Sequence, residues 1–307
     1  MRNILLDYLK HIAGDKNVRE NLPLSQITTF KIGGPAKFVV DVLSKEILMR
    51  LISGLSFLGE KYFILGLGAN VLASDDGFNG VIIRIAFKDI SHTDDFIYAD
   101  AGAKLGVVCN FARDNNLAGL EWAVGIPATI GGAAYMNAGA FGGQMSDIIV
   151  MADILENGEL KTLSANSIKY GYRSSVFQGL DKTVRVATSR QKIVILGVYL
   201  KLQRSQKDII AQKMKDILQR RKTHPKEPSA GSVFKRPFDG FYVGKVLDEL
   251  GLKGYQIGGA KVSEKHAGFI VNTGGATCKD VLHLMEDIKT RVKNKTGVLL
   301  ENEIVLL

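Results

Sequence analysis

The chain has 307 residues, 46% apolar and 23% charged, and its 40 Lys and Arg against 31 Asp and Glu give a formal net charge of +9. This is a globular composition, long enough for two or three domains with separate cores, and no run approaches the ~20 apolar residues of a membrane span. The two cysteines, Cys109 and Cys278, match no metal or redox spacing, so neither a metal site nor a disulfide framework is expected and a cytoplasmic setting is. Positive charge favours anionic partners in general. The densest basic run, residues 219–226, lacks the aromatic residues that stack bases, so no nucleic-acid partner is expected.

Leu5, Leu6, Leu9 and Ile12 fall at helical spacing with charges between them, which predicts an amphipathic helix and not a signal peptide. A strand is expected over Ala36–Val42, a helix over Glu46–Leu58, and a strand over Tyr62–Leu65 that runs into Gly66-Leu67-Gly68-Ala69-Asn70. Short strands follow at Val81–Ile85, Phe96–Ala99 and Ile149–Ile154, with a helix near Leu105–Asn116. The stretch Val184–Leu202 reads as ending in a long strand. A helix over residues 205–221 then places Ile209, Ile210, Met214 and Leu218 on one face, so a boundary is expected near residue 203. A further helix spans about Cys278–Asn294, and the tail reads as a terminal strand with Glu301 and Glu303 on one face. The helices are too few and too uneven for a βαβ series, so the class is α+β.

Residues 125–143, GIPATIGGAAYMNAGAFGG, hold six glycines and five alanines in nineteen positions without a charge. Such a run is costly to order unless the backbone needs positive φ or close approach to another group. It predicts a loop wrapped around a large flat or phosphorylated ligand, with bare N–H groups as donors. Gly66 and Gly68 follow a strand but have Val71 where a dinucleotide fingerprint needs its third glycine, leaving a phosphate-binding turn or a plain one. The loop Thr28–Ala36 has the same chemistry. Arg173 in GYRSSVF has a guanidinium suited to carboxylate or oxyanion charge. Ser232, in a loop bounded by prolines, lacks the glycine of a nucleophile elbow and by itself reads as a turn residue.

Taken in order, GGPA, GLGAN, GIPATIGGAAYMNAG, GYRSSVF, AGSVFKRP, GGAKVSEKHAGFIVN and LENEI resemble the UDP-N-acetylenolpyruvoylglucosamine reductases, flavoenzymes that complete UDP-N-acetylmuramate for bacterial peptidoglycan. The resemblance runs from about Asn21 to the last residue. It implies a two-lobed FAD-binding domain of the vanillyl-alcohol-oxidase type, residues 1–88 with 297–307 and residues 89–203, and a smaller α+β substrate domain over 204–296. It implies non-covalent FAD held by Gly66, Gly68, Ala69, Asn70 and Val71 and by Gly125, Ile126, Pro127, Thr129, Gly131, Gly132, Asn137, Ala138 and Gly139. The pyrophosphate would lie against both segments.

It further implies NADPH as reductant, Ser232 as proton donor, and Arg173 and Glu303 as the charged partners of the reaction. Tyr172, Arg236 and His266 would meet the substrate, Arg236 standing where some relatives have asparagine and His266 where others have glutamine. No tyrosine-bearing insertion is evident after Tyr172, as in the shorter type of the family. A phosphate-binding lysine at Lys222 or Lys226 stays open, and a monomer is expected. The rivals are a related flavin oxidase, which commonly tethers flavin through His or Cys absent from both glycine segments, and a basic nucleotide- or nucleic-acid-binding protein without catalysis. Bound, NADPH-reducible flavin separates an enzyme from the latter.

Overall fold

The computed structural model describes residues 4–178 and 193–307. Three layered units lie along the chain. The first begins with α1 (Ile4–Ala13), β1 (Val18–Pro23), β2 (Pro35–Val42), α2 (Lys45–Phe57), β3 (Tyr62–Ile64), β4 (Val71–Leu72) and β5 (Phe78–Ile85). Ser44 caps α2 by accepting from the Ile47 N–H at 3.3 Å, and Leu48, Leu51, Ile52 and Leu55 form its buried stripe. The sheet runs β1-β2-β5-β3, with the last two pairings parallel.

The second unit holds β6 (Ile90–Thr93), β7 (Phe96–Asp100), α3 (Leu105–Asp114), α4 (Ile130–Tyr135), β8 (Ile149–Glu156), β9 (Glu159–Ser164) and β10 (Ile193–Lys201). Its antiparallel sheet runs β9-β8-β10-β7-β6. The part of the expected long strand before Ile193 lies outside the described residues. Lys45 ties the two units together: its Nζ donates to the Tyr98 hydroxyl at 2.7 Å and stands 3.4 Å from the buried Asp100 carboxylate.

After α5 (Lys207–Arg220), the third unit contains β11 (Ser229–Ser232), α6 (Val243–Glu249), β12 (Gln256–Ile257), β13 (Ala260–Val262), β14 (Phe269–Asn272) and α7 (Cys278–Thr296). Its sheet runs β11-β14-β13-β12. Thr277 and Asp280 close a capping box at the start of α7, and Gly297 at φ 74° ends it.

Two sequence expectations change. Helix α5 buries Ile210 and Met214 in the core of the second unit, while Ile209 and Leu218 are exposed. The core therefore changes hands after α5 and not near residue 203, because an amphipathic stripe specifies burial without specifying the partner. The tail is likewise no single strand. Residues 301–303 run beside 233–235, and only β15 (Val305–Leu306) forms a strand, parallel to β4 of the first unit. Glu301 and Glu303 consequently part company: the first is 74% exposed and pairs with Lys235, the second 15% exposed and pairs with Arg173.

Candidate active site

The turn after β3 and the loop before α4 face each other across a cavity of ≈ 430 Å³. Gly66, Gly68, Ala69, Asn70 and Val71 line it on one side, with Pro127, Thr129, Gly131 and Gly132 on the other. Gly68, at φ 63°, lies so close to Ile27 and Thr28 that a Cβ would sit 2.7 Å from the Ile27 carbonyl oxygen. The Thr28–Ala36 loop thus buttresses the turn, and Thr29 Oγ1 donates onward to the Ser229 carbonyl at 2.7 Å.

The two glycine segments do different things. Among the described residues no backbone bond uses the N–H groups of Gly66, Leu67, Gly68, Ala69 or Asn70. By contrast, Ile130 donates to the Ala103 carbonyl at 2.8 Å, Gly131 to the Ala101 carbonyl at 2.9 Å and Gly132 to Thr129 Oγ1 at 3.2 Å. These three donors of the second loop are already taken, two of them by the segment 101–103 that follows β7, so this stretch supplies a close wall. A row of unused N–H groups beside a largely apolar chamber fits a dinucleotide diphosphate and a flat ring system.

Gly125, Ile126, Asn137, Ala138 and Gly139 are not among the residues lining this chamber. Gly125 takes φ 79°, a left-handed conformation that favours glycine, and a Cβ there would also stand 2.9 Å from Arg221 Cδ. Asn137 is buried, donates to the Gly171 carbonyl at 3.0 Å and accepts from the Ser146 N–H at 2.9 Å. The carbonyls of Asn137 and Gly139 instead point to Arg173.

A second cavity, also ≈ 430 Å³, is lined by Ser232, Arg173, Glu303, Tyr172, Arg236 and His266. Arg173 sits at the tip of a tight turn closed by Gly171 and Ser174, at φ 51°, a region that non-glycine residues rarely adopt. Its Nε donates to Glu303 Oε1 at 2.6 Å and its terminal nitrogens to the Gly139 carbonyl at 2.8 Å and the Asn137 carbonyl at 3.4 Å. Ser175 Oγ and Gln178 Nε2 anchor the same segment to the Tyr135 carbonyl, at 2.7 and 3.0 Å.

Ser232 ends β11, where the register against β14 shifts between Ser229 and Ser232 and Gly231 takes φ 77°. Such a bulge re-aims the side chain that follows it. The Tyr172 ring lies under both Arg173 and Arg236, and its hydroxyl accepts from the Arg236 N–H at 3.2 Å. Sequence reasoning missed Lys245, Lys253 and Lys265, which also line the cavity, whereas Lys222 and Lys226 do not. No local signal marked the missed lysines: residues 238–268 hold as many acidic residues as lysines, and only the fold turns these three toward the cavity.

His266 accepts at Nδ1 from the Gly268 N–H at 3.1 Å, which places a neutral ring's proton on Nε2, and burial lowers its pKa. His224 packs against His266, Phe269 and Phe141. Burial, then the charges of Arg221 and His266, push its pKa from 6.5 down to about 4. The unfolded chain binds that proton more readily, so stability falls as pH drops from 6.5 towards 4. His224→Gln is expected to flatten this part of a plot of Tm against pH; an unchanged slope would assign the titration to other groups.

The combination defines a class: an α+β FAD-binding oxidoreductase with a further α+β unit at its C-terminal end. Residues 36–164 match the FAD binding domain profile, and residues 223–307 match the UDP-N-acetylenolpyruvoylglucosamine reductase C-terminal domain profile. The chain is 42% identical to the UDP-N-acetylenolpyruvoylglucosamine reductase of Caldanaerobacter subterraneus subsp. tengcongensis, over 100% of this chain and 99% of the relative. It is 42% identical to the Thermotoga maritima reductase over 92% and 95%. The solved reductase from Thermus caldophilus superposes with a TM-score of 0.78 at 33% identity, covering 94% of this chain and 99% of that one. The chain belongs to the UDP-N-acetylenolpyruvoylglucosamine reductase family and is an FAD-containing oxidoreductase.

Proposed function

We propose that this chain reduces the enolpyruvyl double bond of UDP-N-acetylglucosamine enolpyruvate to give UDP-N-acetylmuramate, with NADPH as reductant and in the cytoplasm. The observation that carries the reading is the meeting of Ser232, Arg173 and Glu303 in one cation-rich cavity, with the tail continuing from Glu303 to Val305 in the wall of the other cavity. The first two units would hold FAD through the 66–70 turn and the wall at 127–132, and the third, with the tail, would hold the sugar nucleotide. When bound, FAD would supply two-electron hydride chemistry between NADPH and the terminal methylene carbon of the enolpyruvyl group.

Negative charge then grows on the enolate and carboxylate of the substrate, where a pre-placed guanidinium is worth more than in the ground state. Arg173 is the group suited to this, and Glu303 and the two carbonyls keep its fork from turning. Ser232 donates a proton to the adjacent carbon, completing addition of hydride and proton across the double bond, and regains a proton from solvent. Lys245, Lys253 and Lys265 give the cavity the positive charge that a nucleoside diphosphate requires. The test is anaerobic reduction of the bound flavin by NADPH, followed by addition of the enolpyruvyl sugar nucleotide. Reoxidation by that compound is expected; a flavin that stays reduced would sink the substrate assignment.

The flavin wall gives a separate expectation. A Cβ on Gly132 meets only Thr129 Oγ1, at 3.4 Å, whereas one on Gly131 would stand 2.8 Å from Ala101 Cβ. Gly132→Val is therefore expected to lose most of its FAD while folding normally. Gly131→Val should lower stability by about 1–3 kcal/mol through overpacking against Ala101, just beyond β7. Flavin released on denaturation, read beside Tm, checks both; full flavin content in Gly132→Val would contradict the placement of the cofactor.

A further inference from the structure

We propose that Asn70, in the turn of the flavin chamber, is a positioning residue for Glu303 and acts on catalysis through that carboxylate. The proposal rests on the reaction assigned above. Residue 303 is held from both sides: its N–H donates to the Val233 carbonyl at 2.7 Å, next to Ser232, and its carbonyl accepts from Asn70 Nδ2 at 3.1 Å. Asn70 also accepts at its own backbone oxygen from the Val305 N–H at 2.9 Å. One residue thus grips the tail on both sides of Ile304, whose side chain is fully buried.

The neighbouring ties, Leu307 N–H to the Leu72 carbonyl at 3.0 Å and Ser74 N–H to the Leu307 carbonyl at 2.6 Å, run main chain to main chain and tolerate many residue types. The Asn70 amide does not. A short side chain with a donor at its end is needed to reach the Glu303 carbonyl, while the turn's own N–H groups remain directed to the cofactor. The amide therefore fixes where the Glu303 carboxylate stands, and with it the guanidinium of Arg173, 2.6 Å away. Catalytic groups shifted by a fraction of an ångström to an ångström lose ~10- to 100-fold in rate.

The experiment uses the holoenzyme with Asn70→Ala, Glu303→Ala and the double variant; an aspartate at 70 is avoided because its charge would stand beside the diphosphate-binding turn. Because Asn70 belongs to the turn assigned to the cofactor, Asn70→Ala is saturated with FAD before assay, and any change in its reduction by NADPH is measured separately and divided out. Its reoxidation by the enolpyruvyl sugar nucleotide should be ~10- to 100-fold slower, and in the Glu303→Ala background the same change should cost less than ~3-fold. Full multiplication of the two losses, or loss of flavin from both Asn70→Ala and Asn70→Ser, overturns the proposal and makes Asn70 a cofactor ligand. Wild-type enzyme that NADPH reduces but this substrate does not reoxidise overturns the reaction assignment itself, and the proposal with it, in a recognisably different way.

Discussion

Ser232→Ala is expected to leave reduction of the bound flavin by NADPH close to wild type and to slow reoxidation by the enolpyruvyl substrate by ~10²- to 10⁴-fold, the usual contribution of a positioned proton donor. The separation follows from the chemistry, because a proton is delivered to carbon only in the second half-reaction. It also follows from the structure. Ser232 lines the second cavity and follows a bulge built on Gly231, so removing its hydroxyl takes nothing from the chamber walls at 66–71 and 127–132. Rapid mixing under anaerobic conditions measures each half separately. Equal losses in both halves would make the serine structural.

Arg173→Lys is expected to lower turnover by ~10²- to 10³-fold with a much smaller change in substrate affinity, the cost seen when one donor to a developing oxyanion is lost. The lysine keeps the charge. It cannot donate along the three directions that Glu303, Gly139 and Asn137 define around the guanidinium, so the charge would no longer be pre-placed. Glu303→Gln keeps the reach of the side chain and removes its charge. It should slow the same half-reaction while the protein stays folded and yellow, because the ion pair is only partly shielded from solvent, at 19% and 15% side-chain exposure. A raised Michaelis constant with unchanged turnover in Arg173→Lys would mean that the arginine binds the ground-state carboxylate only.

Much of the local structure was legible in the sequence because its causes are local. The spacing of Leu48, Leu51, Ile52 and Leu55 makes a buried helical stripe wherever α2 lands, and Gly68 in a turn after a strand signals a backbone that a side chain would obstruct. The motif order was sufficient to point to the reductase family, with which the profile and chain comparisons agree. What lies across from each element was not legible. Both glycine segments promised free N–H groups, yet Ile130 and Gly131 in the second spend theirs on Ala103 and Ala101, while those of the 66–70 turn make no backbone bond. The stripe of α5 did not name the second unit as its partner, and the alternation of the tail did not reveal that it serves two neighbours in turn. Arg173 and Glu303 lie 130 residues apart and meet at 2.6 Å only because β15 returns to β4 while residues 301–303 lie against 233–235. Periodicity and backbone conformation are properties of a segment, and the sequence determined them; the partners of a hydrogen bond, an apolar face or a charge are properties of the assembled chain, and only the tertiary structure decided those.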